Sequence, residues 1–272
     1  MVHLGFNLDR RSNMQDHKFT KRLKERLLIE FRMQDRSGAY GFTQRSMAYN
    51  SNKIEGSTLT EKQTASLFDI GTFYSDNKED IFRAKDVEEM NGHFKMFNYM
   101  LKHLDEPISE EIIKGMHKNL KEGVFEDLAN GYAIGDWKKR ANCAGNIITA
   151  LPQDVPNRIK ELIHSYTVKD VIMLMDIVEF HAEFENIHPF QDGNGRVGRM
   201  ILLKQCLDAD IIPVIIQDNN KAKYYRYLNE AQTGHVYAGL LEFFKAEQQE
   251  YQSKVRPLLF DYEELENITV FE

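Results

Sequence analysis

Residues 185–207 read ENIHPFQDGNGRVGRMILLKQCL, and the reading of this stretch decides both fold and chemistry. Upstream, from Asp170 to Ile187, apolar residues cover most of a helix circumference, which predicts a buried central helix. Downstream, the spacing predicts a second helix over 195–208. From 188 to 196, across the junction, the chain places His188, Pro189, Asp192, two glycines and the first of two arginines. Pro189 puts His188 at or beyond the end of the first helix. The turn thus falls at the N-terminus of the second, where unpaired N–H groups and the positive dipole end favour an anion. Gly193 and Gly195 permit a close backbone approach that a side chain forbids. Arg196 and Arg199, one turn apart, add guanidinium forks suited to phosphate oxygens. Asp192 offers a hard oxygen ligand of the kind Mg²⁺ takes when it also meets substrate phosphates. An unperturbed histidine titrates near neutral pH, which makes His188 the candidate general base. Phe190 reads as an apolar anchor for the loop.

Together these parts suit phosphoryl or nucleotidyl transfer. A metal hydrolase is the competing reading. His181, Glu185 and His188 fall at i, i+4 and i+7 and would form a metal stripe on an unbroken helix. Pro189 breaks that stripe at His188, and His181 reads better as a satisfied polar residue beside the core.

Outward from the centre the pattern stays helical. Apolar spacing predicts helices over 80–104 and 220–234 and another across VYAGLLEFFKAEQQEYQ. ISEEIIKGMHKNLKEG opens on Ser109 as N-cap and ends on Gly123 as a stop. GDWKKRANCAGNIITALPQDVP departs from the pattern: β-compatible pieces flank Gly145-Asn146, which predicts a hairpin. STLTEKQTASLFDIG reads either as a contact surface or as a segment packed on the domain, and DYEELENITVFE as a loosely held acidic tail.

The 272 residues suffice for one large domain, and no repeat or Gly/Ser/Pro-rich linker divides them. A net charge of −7 argues against a nucleic-acid partner. The two cysteines, Cys143 and Cys206, make no disulfide framework, and the N-terminus carries no signal-peptide pattern, so the expected compartment is the cytoplasm. No apolar run is long enough to cross a bilayer.

HPFQDGNGRVGR, His188 to Arg199, matches at every fixed position the signature HPFx(D/E)GNGRxxR, and the chain here resembles the Fic-domain proteins. IIKGMHKNL before GDWKKR, FHAEFENIHPF and YYRYLNEA are similar to further parts of that family, so the resemblance runs from about Asp80 to Phe244. It implies a mainly α Fic fold, a helical bundle around a buried central helix with a short β-hairpin flap. It also implies an N-terminal region over 1–75, a catalytic core over 76–250 and an extension over 251–272. The activity it implies is transfer of AMP from ATP to a Ser, Thr or Tyr hydroxyl of a protein, itself included, with Mg²⁺. In that reading His188 deprotonates the hydroxyl and Asp192 holds the metal. Gly193, Asn194 and Gly195 form the anion hole, Arg196 contacts phosphates and Arg199 takes the γ-phosphate. Tyr224 and Tyr225, with Leu228, line the adenine site. The flap residues Asn142, Cys143, Ala144, Gly145, Asn146 and Ile147 present the target as an added strand.

Ser51, Glu55 and Gly56 in YNSNKIEGSTLT match the family's inhibitory motif (S/T)xxxE(G/N), with Ser51 expected at a helix start and Glu55 one turn later, on Arg199. Relatives often self-associate. The alternatives that remain are removal of AMP, transfer of another nucleotide, and a non-catalytic module that binds nucleotide.

Overall fold

The central helix forms where expected, but shorter, at Leu174–Ile187. The Asp176 carboxylate accepts the Met173 N–H at 2.7 Å and sets the start, leaving 170–173 outside the helix. The protein is described here from a computed structural model covering residues 3–72, 82–145 and 147–259, with the side chains of 3–15 and of Ala144 excepted. In chain order the elements are α1 (His3–Met33), α2 (Ala39–Ile54), α3 (Glu61–Ile70), α4 (Ala84–Lys102), α5 (Glu110–Lys121) and α6 (Phe125–Ala129). A hairpin of β1 (Cys143–Ala144) and β2 (Ile147–Ile148) follows. Then come α7 (Val155–Thr167), α8 (Leu174–Ile187), α9 (Asn194–Asp208), α10 (Lys221–Gly234) and α11 (Ala238–Val255). The fold is mainly α, as the sequence predicts. The hairpin pairs Cys143 with Ile148 and Ala144 with Ile147, antiparallel, about the predicted turn.

Ser109 caps α5 as read, its Oγ accepting the Ile112 N–H at 3.3 Å. Gly123 is not the stop. The cap is Glu122 in right-handed backbone, and the chain turns through Val124 N–H to Lys121 O at 3.1 Å. α4 begins at Ala84; the predicted start at Asp80 and the acidic tail lie outside the described residues. STLTEKQTASLFDIG packs on the body as α3. Its start is a reciprocal cap in which Gln63 N–H donates to Thr60 Oγ1 and Thr60 N–H to Gln63 Oε1.

Two apolar clusters position the site. The larger joins Leu23 and Leu27 of α1, Met96 and Phe97 of α4, Ile113 and Met116 of α5, Phe184 of α8 and Leu203 of α9. Phe190 enters it fully buried, as the predicted anchor, with its ring stacked on His117 (centroids 3.9 Å apart, planes 2° apart) and tilted against Trp137. The second cluster gathers Val178, Leu202, Tyr224, Leu228 and Phe244, and admits one residue of α2, Ile54. Burying that side chain contributes roughly 1.5–3 kcal/mol, and it fixes the end of α2 against the wall that α10 provides. The residue after it is Glu55.

Candidate active site

His188 ends α8 in left-handed backbone (φ 52°), its N–H on Phe184 O. His188 thus lies past the helix end, and among the described residues the side chains of His181, Glu185 and His188 do not converge on one point, so the metal stripe does not form. His181 is buried, with Nε2 2.8 Å from the Tyr224 hydroxyl. His188 Nδ1 lies 3.3 Å from Glu185 O. A carbonyl only accepts, so Nδ1 carries the proton and Nε2 keeps its lone pair. Burial holds the imidazole pKa below its ordinary value, which keeps the ring neutral at pH 7.

Beyond His188 the loop braces itself. Asn194 Oδ1 accepts Phe190 N–H at 2.7 Å and Asn194 Nδ2 donates to Phe190 O at 2.8 Å. The Asn194 side chain is therefore buried inside the loop rather than turned to an anion. Gly193 takes φ 85° as the cap of α9. A cavity of about 460 Å³ opens in front of this helix start, lined by His188, Gly195 and Arg199, by Tyr224, Tyr225 and Leu228 of α10, and by Gly145 and Ile147 of the flap. Its size suits a small-molecule ligand. Tyr224 is buried and Tyr225 is 40% exposed at the rim.

The N-terminus of α9 faces a carboxylate. A Cβ placed on Gly195 would lie 2.3 Å from Glu55 Oε1, so Glu55 rests against the first turn of the helix. Arg199 Nη2 donates to the same oxygen at 2.6 Å, Arg199 Nε to Ser51 Oγ at 2.9 Å and Nη2 to Ser51 O at 3.0 Å. Against burial, Arg199 and Arg196 hold the Glu55 carboxyl below its usual pKa, so it is charged. Ser51 does not start a helix, as its residue type suggested; it sits buried in the last turns of α2, and Gly56 (φ 90°) terminates that helix. Arg199 Nη1 has no partner among the described residues.

Arg196 and Asp192 face the other side of the loop. Arg196 Nη1 is 2.5 Å from Glu89 Oε2 on α4 and 3.5 Å from Asn52 Oδ1, buried away from the cavity that sequence reasoning placed it in. Asp192 Oδ1 accepts Gly193 N–H at 2.8 Å and Oδ2 accepts Lys121 Nζ at 2.8 Å. Despite burial, Arg196, Lys121 and Lys85 hold the Asp192 carboxyl well below the usual carboxylate range. His117, four residues before Lys121, accepts Gly135 N–H at Nδ1 and donates from Nε2 to Asp192 O at 3.1 Å. Its stacking on Phe190 completes the grip of α5 on the loop.

The flap hinges on a residue the sequence reading passed over. Lys138 Nζ donates to Asn142 Oδ1 (2.7 Å), Thr149 Oγ1 (2.9 Å) and Ile187 O (3.3 Å). Asn142, read as a target contact, instead ties the flap base to the loop through Nδ2 to Phe190 O at 2.9 Å. Cys143 and Ile148 are exposed, and Asn146 lies outside the described residues.

Among the described residues, Glu185 is the remaining ionisable group on the cavity wall, buried, with Oε1 unpartnered. Burial pushes its pKa up to about 8, Arg199 pulling the other way. In the fold it stays protonated where the unfolded chain ionises near its model value of 4.5, so its contribution to stability is full below that pH and is lost as pH rises toward 8. Within that window wild type should lose about 1.4 kcal/mol per pH unit from this one group. Glu185→Gln should remove that slope in urea unfolding. Parallel pH profiles for the two proteins would show Glu185 to be ionised.

Residues 107–206 match the Fic/DOC family. A protein adenylyltransferase Fic of Nematostella vectensis is 27% identical over 192 residues, covering 69% of this chain and 43% of its own. Its counterpart from Culex quinquefasciatus is also 27% identical over 192 residues, covering 69% and 37%. The chain thus spans less than half the length of these relatives. Among solved structures, a Fic-domain-containing signaling protein from Bacteroides thetaiotaomicron superposes with a TM-score of 0.66 at 20% identity, over 90% of this chain and 91% of that one. Fic-1 from C. elegans gives 0.62 at 20%, over 94% and 77%. No helix among the described residues is long and apolar enough to cross a membrane. With the full signature at the head of α9 and the fold of the Fic-domain neighbours around it, the chain is similar, through residues 107–206, to the Fic/DOC family.

Proposed function

We propose that this protein transfers AMP from ATP to a Ser, Thr or Tyr hydroxyl of a protein, itself included, and that Glu55 restrains the reaction. The observation that carries this reading is the cavity shared by His188, Arg199, the first turn of α9 and the flap. Nε2 of His188, left unprotonated by the Nδ1 contact, removes the proton of the target hydroxyl. The oxygen bonds to the α-phosphorus, the bond from that phosphorus to the bridging oxygen breaks, and pyrophosphate leaves. The backbone N–H groups at the start of α9 face the charge that develops on the phosphoryl oxygens. Tyr224, Tyr225 and Leu228 give the base an apolar wall, and the exposed edge of the hairpin accepts the target backbone without selecting its side chains.

Asp192 is the residue that would hold Mg²⁺. Its carboxylate is charged and hard, and it keeps free lone pairs beyond the two hydrogen bonds it accepts. When bound, the metal neutralises the charge of the phosphates. Arg196 reaches a phosphate only by leaving Glu89, so its contribution in this chain is first to fix Asp192 and α4.

Incubation with Mg²⁺ and ATP labelled at the α- or the γ-phosphate tests the reaction. Adenylyl transfer leaves the α label on protein and the γ label in pyrophosphate. Protein labelled from the γ position alone would mean phosphoryl transfer instead. A second reading rests on Glu55 lining the same cavity as His188: the carboxylate would orient a water to remove AMP from a modified protein. Release of AMP by wild type but not by Glu55→Gly would favour it.

A further inference from the structure

Lys121 ends α5 with its side chain turned inward and 1% exposed, although lysine is almost never fully buried unless paired. Its ammonium stands 2.5 Å from Glu89 Oε1, 2.5 Å from Asp127 Oδ2 and 2.8 Å from Asp192 Oδ2. One nitrogen thus ties α4, α6 and the signature loop. Oxygens of the three carboxylates lie within 4.8 Å of one another, the spread of donors that meet on one hard cation. Asp127 is fully buried, and among the described residues neither of its oxygens completes a hydrogen bond of good geometry. It meets only charge, from Lys121 and, at 3.9 Å, from Lys85. A buried carboxylate so placed needs a cation beside it. Around the trio, Lys85 (3.6 Å from Asp192) and Arg196 complete a balance of three positive groups against three negative.

We propose that Lys121 is the resident cation of this acidic trio, a positioning residue that occupies the place of a divalent ion and so admits metal to Asp192 only with the phosphates of a nucleotide. With the ammonium present, Glu89 and Asp127 each have a cation beside them and Asp192 Oδ2 is engaged. A lone carboxylate then remains for a metal, and Mg²⁺ held by one carboxylate relies on substrate phosphates for affinity. Without it, three carboxylates face two cations, and the trio becomes a site of its own. Nothing in the side chain's burial alone would produce this behaviour; the convergence of three carboxylates on one nitrogen does.

The inference rests on Asp192 as the metal-holding residue, and its test uses no nucleotide, so a failure would leave adenylyl transfer standing. Mn²⁺ is titrated into the full chain without ATP, and the electron paramagnetic resonance signal of the free ion is followed. Wild type and Lys121→Arg should take up no tightly bound Mn²⁺. Lys121→Met should take up about one equivalent, and Lys121→Met with Asp127→Asn should lose it again. Should Lys121→Met fail to fold in chelator, refolding in millimolar Mn²⁺ should restore it. A folded Lys121→Met that gains no Mn²⁺, a variant that Mn²⁺ cannot rescue, or a wild type that binds an equivalent unaided would each overturn the proposal.

Discussion

His188→Ala should leave the fold and nucleotide binding in place and reduce AMP transfer by about 10²–10⁴-fold, the usual contribution of a positioned proton acceptor. Among the described residues the ring makes one polar contact, at 3.3 Å to Glu185 O, so its removal opens no hydrogen-bond network there. The backbone is another matter. His188 sits at φ 52°, where alanine costs roughly 1–2 kcal/mol, while asparagine enters this region more readily. His188→Asn is therefore the cleaner variant, because it keeps the left-handed cap and lacks a base. Both variants should bind ATP like their parent in the Glu55→Gly background, since the base acts in the chemical step. Transfer of the α label within ten-fold of the parent, in a variant that melts normally, would remove His188 from the reaction. The depressed imidazole pKa adds a further mark: the acidic limb of the rate profile should fall below the ordinary histidine range, because the neutral ring persists to lower pH.

The placement of the His188 side of the candidate site was legible because its residues are contiguous. His188, Gly193, Gly195 and Arg199 lie within twelve positions, and the two helices that set them follow from apolar spacing. What the sequence could not assign were the partners supplied by packing. Arg196 has the residue type of a phosphate clamp, yet Glu89, more than a hundred positions earlier on α4, captures it at 2.5 Å. The resemblance gave Asn194 and Asn142 outward roles, but both donate to the Phe190 carbonyl, and Asn194 also accepts the Phe190 N–H, groups that would otherwise be buried unpaired.

Ser51 misled for a different reason. Serine is a favoured N-cap, but Met47 and Ala48 before it already carry a buried helical face, so the helix was in progress. Lys121 left one readable trace. It lies four residues after His117 on the buried face of α5, where a lysine must have a partner.

Glu55→Gly should raise transfer of the α label by roughly 100–1,000-fold at subsaturating ATP, as the sum of two effects. The first is release of Arg199. Nη2 gives up its 2.6 Å contact with Glu55, and with the unpartnered Nη1 it becomes free for a γ-phosphate. A charge-assisted hydrogen bond of this kind contributes about 1.5–3 kcal/mol. The second is removal of like charge, because the Glu55 carboxylate lies against Gly195, where a phosphate would seat on the start of α9. Glycine also suits the position structurally, since Glu55 follows the last residue of α2 and Gly56 already ends that helix. Ser51 would keep its two contacts with Arg199, so the guanidinium stays aimed at the cavity while its acidic partner goes. Glu55→Gln separates the two effects: it removes the charge but can still accept from Arg199, so its gain should be intermediate. ATP affinity by calorimetry and initial rates of label incorporation measure the series. Equal affinity and equal rate in all three proteins would mean that Glu55 merely neighbours the site, and that the restraint lies elsewhere in the chain.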